Sequence, residues 1–152
     1  MKEGDKLPFA KAYWELRGYE RARELQQQLF ELSKNFPADE KYSLTDQLRR
    51  ASRSVGTQIA ESWGKRHYIR HFESKLTDAL GENNETQHRI ICAVDNGCLP
   101  PDKSRLLFQM SLQIGCMFQT MIQHADEFCG ATPKLSEPSP EFFLPDSDPP
   151  TL

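Results

Sequence analysis

The chain has 152 residues, 38% apolar and 27% charged, with a formal net charge of -3. That length accommodates one domain with a real core, and that balance excludes both a disordered polymer and a membrane-embedded chain. No apolar run approaches the roughly 18 residues of a membrane span, and the N-terminal MKEGDKLPFAK lacks an apolar signal segment, so the expectation is a cytoplasmic protein with no membrane partner.

In chain order, residues 1–12 read as an N-terminal extension, and helical periodicity begins near residue 13. Gly18, Ala22, Leu25, Leu29, Leu32 and Phe36 recur at fours and threes, which predicts a first helix over 13–34 ended by Asn35-Phe36-Pro37. The second is expected to start at Ser43, or as early as Ala38-Asp39, and to run to Trp63, with Leu44, Leu48, Ala51, Val55 and Ile59 as its buried stripe. The third spans 68–95, with Ile69, Phe72, Leu76, Ala79, Leu80, Ile90, Ile91 and Val94 facing inward, and closes at Asn96-Gly97. The fourth opens at Pro100-Pro101, with Asp102 near its start, and continues to Phe128. Leu107, Ile114, Phe118, Met121, Ala125 and Phe128 form its stripe, and Leu106, Met110 and Met117 broaden it, which predicts burial on more than one side.

No period-2 strand pattern competes with these helices. Four long helices with short connections predict an all-α, antiparallel up-down-up-down bundle over 13–129. Residues 130–152 change character: beyond Gly130 there are six prolines, four acidic residues and one lysine, the composition of an extended or disordered tail. The apolar island Phe142-Phe143-Leu144 inside it is either a docking element or part of a solvated tail.

The net charge hides an asymmetry. Residues 1–75 carry 15 Lys and Arg against 11 Asp and Glu, whereas residues 76–152 carry 4 against 11. The basic part concentrates around "QLRRASRSVGTQIAESWGKR" at 47–66. On a helical wheel Arg50, Ser54, Gln58 and Glu61 line one flank of the core stripe, as an internal polar ladder to a neighbouring helix or as plain surface. Arg49, Arg53, Gly56 and Ala60 lie away from the stripe. Glycine inside a helix costs roughly 1 kcal/mol relative to alanine, so small residues there predict close packing by a partner. Arg49, Arg53, Lys65, Arg66 and Arg70 together predict a basic surface for RNA or DNA backbone, read electrostatically and not by base. In the third helix Asn83 and Thr86 or Gln87 interrupt the apolar stripe. They are expected either to meet the Arg50/Gln58 flank or to form a wet waist.

The run Phe36-Pro37, Tyr42-Ser43-Leu44-Thr45, Gln47-Leu48-Arg49-Arg50-Ala51, Ser54-Val55 and Ile59-Ala60-Glu61, followed by Phe72 and Ala79-Leu80-Gly81, resembles the bacterial four-helix-bundle family of 23S rRNA intervening-sequence proteins. Gln58 stands where that family has Asn, and Ser62-Trp63 where it has Gly and a variable residue. Asn83 and Thr86 replace apolar positions. The resemblance extends to the accessory variability determinant of diversity-generating retroelements. It implies a homo-pentameric, nucleic-acid-binding accessory protein that partners a reverse transcriptase, with Arg50, Ser54, Ile59, Ala60 and Glu61 as matching motif positions.

Catalytic patterns are missing: there is no phosphate-binding glycine loop and no serine with a spaced histidine base. The four-residue spacing of His67 and His71 is compatible with one helix face, but it fixes no third ligand, and Cys92, Cys98, Cys116 and Cys129 form no C-x-x-C pair. Reduced, buried or half-buried thiols, no metal and no cofactor are expected. Two functions remain: a non-catalytic homo-oligomeric nucleic-acid adaptor, or a protein-interaction scaffold in which the arginines bridge to the acidic half of a neighbouring subunit.

Overall fold

The computed structural model describes residues 10–130, and these are helical throughout, without strands among them. The Pro-rich tail and most of the N-terminal extension, with the island Phe142-Phe143-Leu144, lie outside the described residues. Helices α1 (Arg17–Ser33), α2 (Leu44–Gly64), α3 (Ile69–Asp95) and α4 (Pro101–Gln123) form the antiparallel bundle, and a short α5 (Ala125–Cys129) follows. Each helix packs on the next in chain order, and α4 closes on α1.

The core stripes of α1 and α2 are buried as the spacing predicts, with Leu32 half-buried. The first helix, however, is not continuous from residue 13. A 3-10 turn at Tyr13–Glu15 precedes α1, and Leu16 between them is extended at φ -67° and ψ 127°. The break buries Leu16 and drops Gly18 onto Phe118 of α4, where an added Cβ would sit 2.9 Å from the ring. The second helix starts at Leu44, after a separate 3-10 turn at Ala38–Glu40. Its first turn is capped from outside: Glu40 Oε2 accepts the Leu44 N–H at 3.2 Å and the Ser43 hydroxyl. Those two donors hold the Glu40 carboxyl below the usual carboxylate range.

Asn96-Gly97 ends α3 as predicted. Gly97 takes φ +71°, and the Cys98 and Gly97 amides donate to Ala93 and Val94 carbonyls at 2.8 and 3.0 Å, which uses two otherwise orphaned acceptors. The fourth helix does not run unbroken to Phe128. His124, at φ -111°, separates α4 from α5, which lets Phe128 stack on Phe72 at 6.0 Å between centroids. Ile91, expected to face inward, is exposed because it lies one residue off the buried line through Phe72, Leu76 and Ile90, whereas Ile69, also expected inward, continues that line and is exposed as the first residue of α3. Leu106 and Leu112 stand one residue from buried Leu107 and Ser111, on opposite flanks of α4, and both are exposed. Of the four thiols Cys116 is exposed and the other three are half-buried.

Candidate nucleic-acid interface

The flank Arg50, Ser54, Gln58 and Glu61 faces α3, where i and i+3 or i+4 positions present the complementary groups. One terminal nitrogen of Arg50 donates to both carboxylate oxygens of Glu85 at 2.8 Å, and its other lies 3.7 Å from Glu82. Lys75 of α3 bridges Glu61 at 2.8 Å, donates to Gln58 Oε1 at 3.3 Å and approaches Asp78 at 3.6 Å. Hydrogen bonding from Arg50 holds the Glu85 carboxyl below its ordinary range, and hydrogen bonding from Lys75 does the same for Glu61. The ladder therefore exists, with two departures from expectation. It is a solvent-facing seam, not an internal one, since Arg50 keeps 54% of its side chain exposed. Ser54, half-buried beside it, makes no hydrogen bond among the described residues.

Asn83 and Thr86 do not join this seam. Asn83 lies about 100° around α3 from Glu82, which turns it toward α4. Its Nδ2 donates to the Ser111 carbonyl and its Oδ1 accepts the Ser111 hydroxyl, both at 2.9 Å and fully buried. Thr86 donates to the Glu82 carbonyl of its own helix. Gln87 is half-buried and also makes no bond to the Arg50/Gln58 flank.

The other flank of α2 packs against α1. The ideal Cβ position of Gly56 is 3.6 Å from the Tyr19 ring, and Ala60 is half-buried in the same groove. Arg49 donates from Nε to Ser33 Oγ at 2.8 Å. Its guanidinium stands 4.7 Å from the Phe30 ring centroid, with that of Arg53 at 5.7 Å. The Phe30 ring, which Lys34 Nζ also approaches at 4.9 Å, thus lies against both guanidiniums without neutralising them, and neither arginine joins an ion pair among the described residues.

Two cavities run along this outer face and share Arg53 and Thr57. The one toward the C-terminus of α2, about 540 Å³, is lined by Tyr13, Tyr19, Ala22, Gly56 and Ala60 together with polar side chains that include Arg23, Arg53 and Glu61. The one toward the N-terminus, about 510 Å³, is lined by Lys41, Arg49, Arg50 and Arg53, with Asp46 as its acidic group. Thr45 also lines it. This residue is only 6% exposed, and its Oγ1 has no hydrogen-bond partner among the described residues.

The remaining predicted cations lie elsewhere. Lys65 and Arg70 are exposed near the turn between α2 and α3, sixteen residues or more beyond Arg49, or roughly 24 Å along a helix. Arg66 folds back on Trp63, 3.6 Å from the ring centroid, and donates from Nε to the Trp63 carbonyl at 2.9 Å. Burial pushes its pKa down. The five residues therefore form two separate basic patches. Lys41 and Phe30 belong to the first patch and carry no spacing signal that a single-helix wheel detects. Among the described residues no three His, Cys, Asp or Glu side chains converge as a metal site, and no helix is long and apolar enough to cross a membrane.

A family model described as 23S rRNA-intervening sequence protein matches residues 14–120. Among solved structures, a protein of unknown function from the S23 ribosomal protein family of Bacteroides thetaiotaomicron VPI-5482 is similar with a TM-score of 0.63. It shares 20% identity, over 70% of this chain and 95% of its own, a likeness of fold alone. No curated protein matches.

Proposed function

The chain belongs to the 23S rRNA-intervening sequence protein family, and from that membership we propose that it is a non-catalytic, homo-oligomeric adaptor that binds RNA backbone. The observation that carries the reading is the pair Arg49 and Arg53, held against Phe30 at the edge of a basic cavity and in no ion pair among the described residues. Cations ordered in this way lose little further side-chain freedom on meeting phosphate, which favours binding. Lys65 and Arg70 supply a second patch roughly 18–24 Å along the helix from that pair, a spacing that favours a structured RNA spanning both over a short single strand. Self-assembly is supported by Leu106 and Leu112, 68% and 50% exposed on two flanks of α4. The finer reading, a pentamer that serves a reverse transcriptase, takes its subunit number and partner from the resemblance carried by the motif at 36–81.

Fluorescence anisotropy with a structured RNA over a salt series tests the proposal. Affinity should fall steeply with salt, and Arg49→Glu with Arg53→Glu should reduce the slope of log K against log salt by about 2 while light scattering shows the oligomer unchanged. Absence of binding at about 50 mM salt, or binding indifferent to salt, refutes it. Should the double variant break the oligomer instead, the arginines act between subunits and the scaffold reading replaces this one.

A further inference from the structure

The outer face of α2 has features that RNA backbone alone does not account for. The Tyr13/Tyr19 cavity combines two aromatic rings, Ala22, Gly56 and Ala60, which suit an apolar side chain, with polar groups that include Arg23, Arg53 and Glu61. The adjoining cavity is cationic and holds a buried hydroxyl, Thr45 Oγ1, with no partner among the described residues. An occupant that matches both carries apolar residues followed by carboxylates.

The chain supplies such a segment. Phe142-Phe143-Leu144 is followed by Asp146 and Asp148, and the 131–152 stretch as a whole has four acidic residues and one lysine. The described residues end at Gly130, just past α5, where Cys129 lies within electrostatic reach of Arg66 at the C-terminal end of α2. Phe142 lies twelve residues beyond Gly130, a tether of up to about 40 Å, whereas Arg66 to Arg53 is roughly 20 Å along the helix. Order agrees as well as length. A chain descending α2 from Gly130 reaches Ala60, Gly56 and Tyr19 first and Arg53, Arg49 and Thr45 next, the same order in which Phe142-Phe143-Leu144 precedes Asp146 and Asp148.

We infer that residues 142–148 dock along the outer face of α2 of their own chain, with Phe142 and Phe143 in the Tyr19 cavity and Asp146 and Asp148 at Arg53, Arg49 and the Thr45 hydroxyl. The docked segment shields the cations proposed above to meet RNA, and that consequence rests on the RNA-binding reading. A short tether gives an effective concentration on the order of 1 mM, so a segment whose free affinity is about 0.1 mM would be about nine-tenths docked and would weaken RNA binding about ten-fold.

The experiment places the photocrosslinking residue p-benzoylphenylalanine at position 143 in the full chain and maps the crosslinks by mass spectrometry. Expected are intrachain crosslinks to residues 13–26 or 52–61. Ala60→Phe, which fills the floor, should abolish them with helicity by circular dichroism unchanged. Thr57→Trp, on the exposed rim, is the second blocking variant should Ala60→Phe unfold. Crosslinks to other surfaces, crosslinks only between isotope-labelled and unlabelled chains, or crosslinks that survive both blocking variants overturn the docking. In anisotropy, Phe142→Ser with Phe143→Ser should raise RNA affinity about ten-fold. Unchanged affinity overturns the shielding, whereas a mapped crosslink with no RNA binding at all refutes the RNA reading and leaves the docking in place.

Discussion

Replacing Asn83 with alanine tests the packing argument most sharply, because the side chain is fully buried at the α3–α4 contact and its amide makes two 2.9 Å hydrogen bonds to Ser111. The change removes three side-chain heavy atoms and both bonds. Each net hydrogen bond contributes about 1 kcal/mol, and the cavity adds a further 1 to 2, so the loss should be about 3–4 kcal/mol. Ser111→Ala strips one bond and leaves the Asn83 oxygen buried without its donor, at a cost of about 1–2 kcal/mol. Both changes disrupt one pair, so the double variant should fall short of the sum by about 1–2 kcal/mol. Asn83→Leu in the Ser111→Ala background should recover most of the loss, since replacing both polar partners with apolar groups of similar size approaches neutrality. Gly115 constrains that repacking, because an ideal Cβ there would lie 3.4 Å from Asn83 Nδ2. Urea unfolding followed by circular dichroism gives all four free energies. An Asn83→Ala loss below about 0.5 kcal/mol, or strict additivity in the cycle, would show that the buried pair does not stabilise the bundle.

Gly18→Ala should cost about 1–3 kcal/mol and lower the thermal midpoint, because the new methyl collides with the immobile Phe118 ring, and Phe118→Leu should recover part of it. Glu85 has a lowered folded-state pKa, so its stabilisation is present above the unfolded carboxylate value and is lost as pH falls through the folded one. Glu85→Gln should therefore flatten the acid side of the stability profile below about pH 5 by less than about 1 kcal/mol, since water screens the half-exposed Arg50. An identical acid limb in both proteins counts against the Arg50–Glu85 pair. Leu106→Lys with Leu112→Glu should reduce the mass seen by light scattering while leaving helicity intact; an undiminished mass removes these residues from any subunit contact.

Helix type, the four long helices and most of their core residues were legible in the sequence, because a buried stripe at 3.6-residue spacing is a local property of each amphipathic segment. The interruptions at Leu16 and His124 were not. No proline or glycine marks either one, and their cause is distant: Gly18 packs on Phe118, and Phe128 turns onto Phe72. The polar ladder was half legible. Arg50, Gln58 and Glu61 were placed on one flank by spacing, but their partners on α3 required the register between two helices.

The sequence by itself determined the four-helix bundle and the location of the basic segment, since periodicity and charge are written along the chain. Only the tertiary structure decided what each face of α2 meets. A helix wheel drawn for α2 alone has one inside and one outside, whereas α2 in the bundle has neighbours on two flanks. Tyr19 and Phe30 of α1 therefore occupy the side that seemed reserved for another molecule, and they order Arg49 and Arg53 there. The distance between that pair and Lys65 or Arg70 follows from the rise of a rigid helix, so five cations close in sequence form two separate patches.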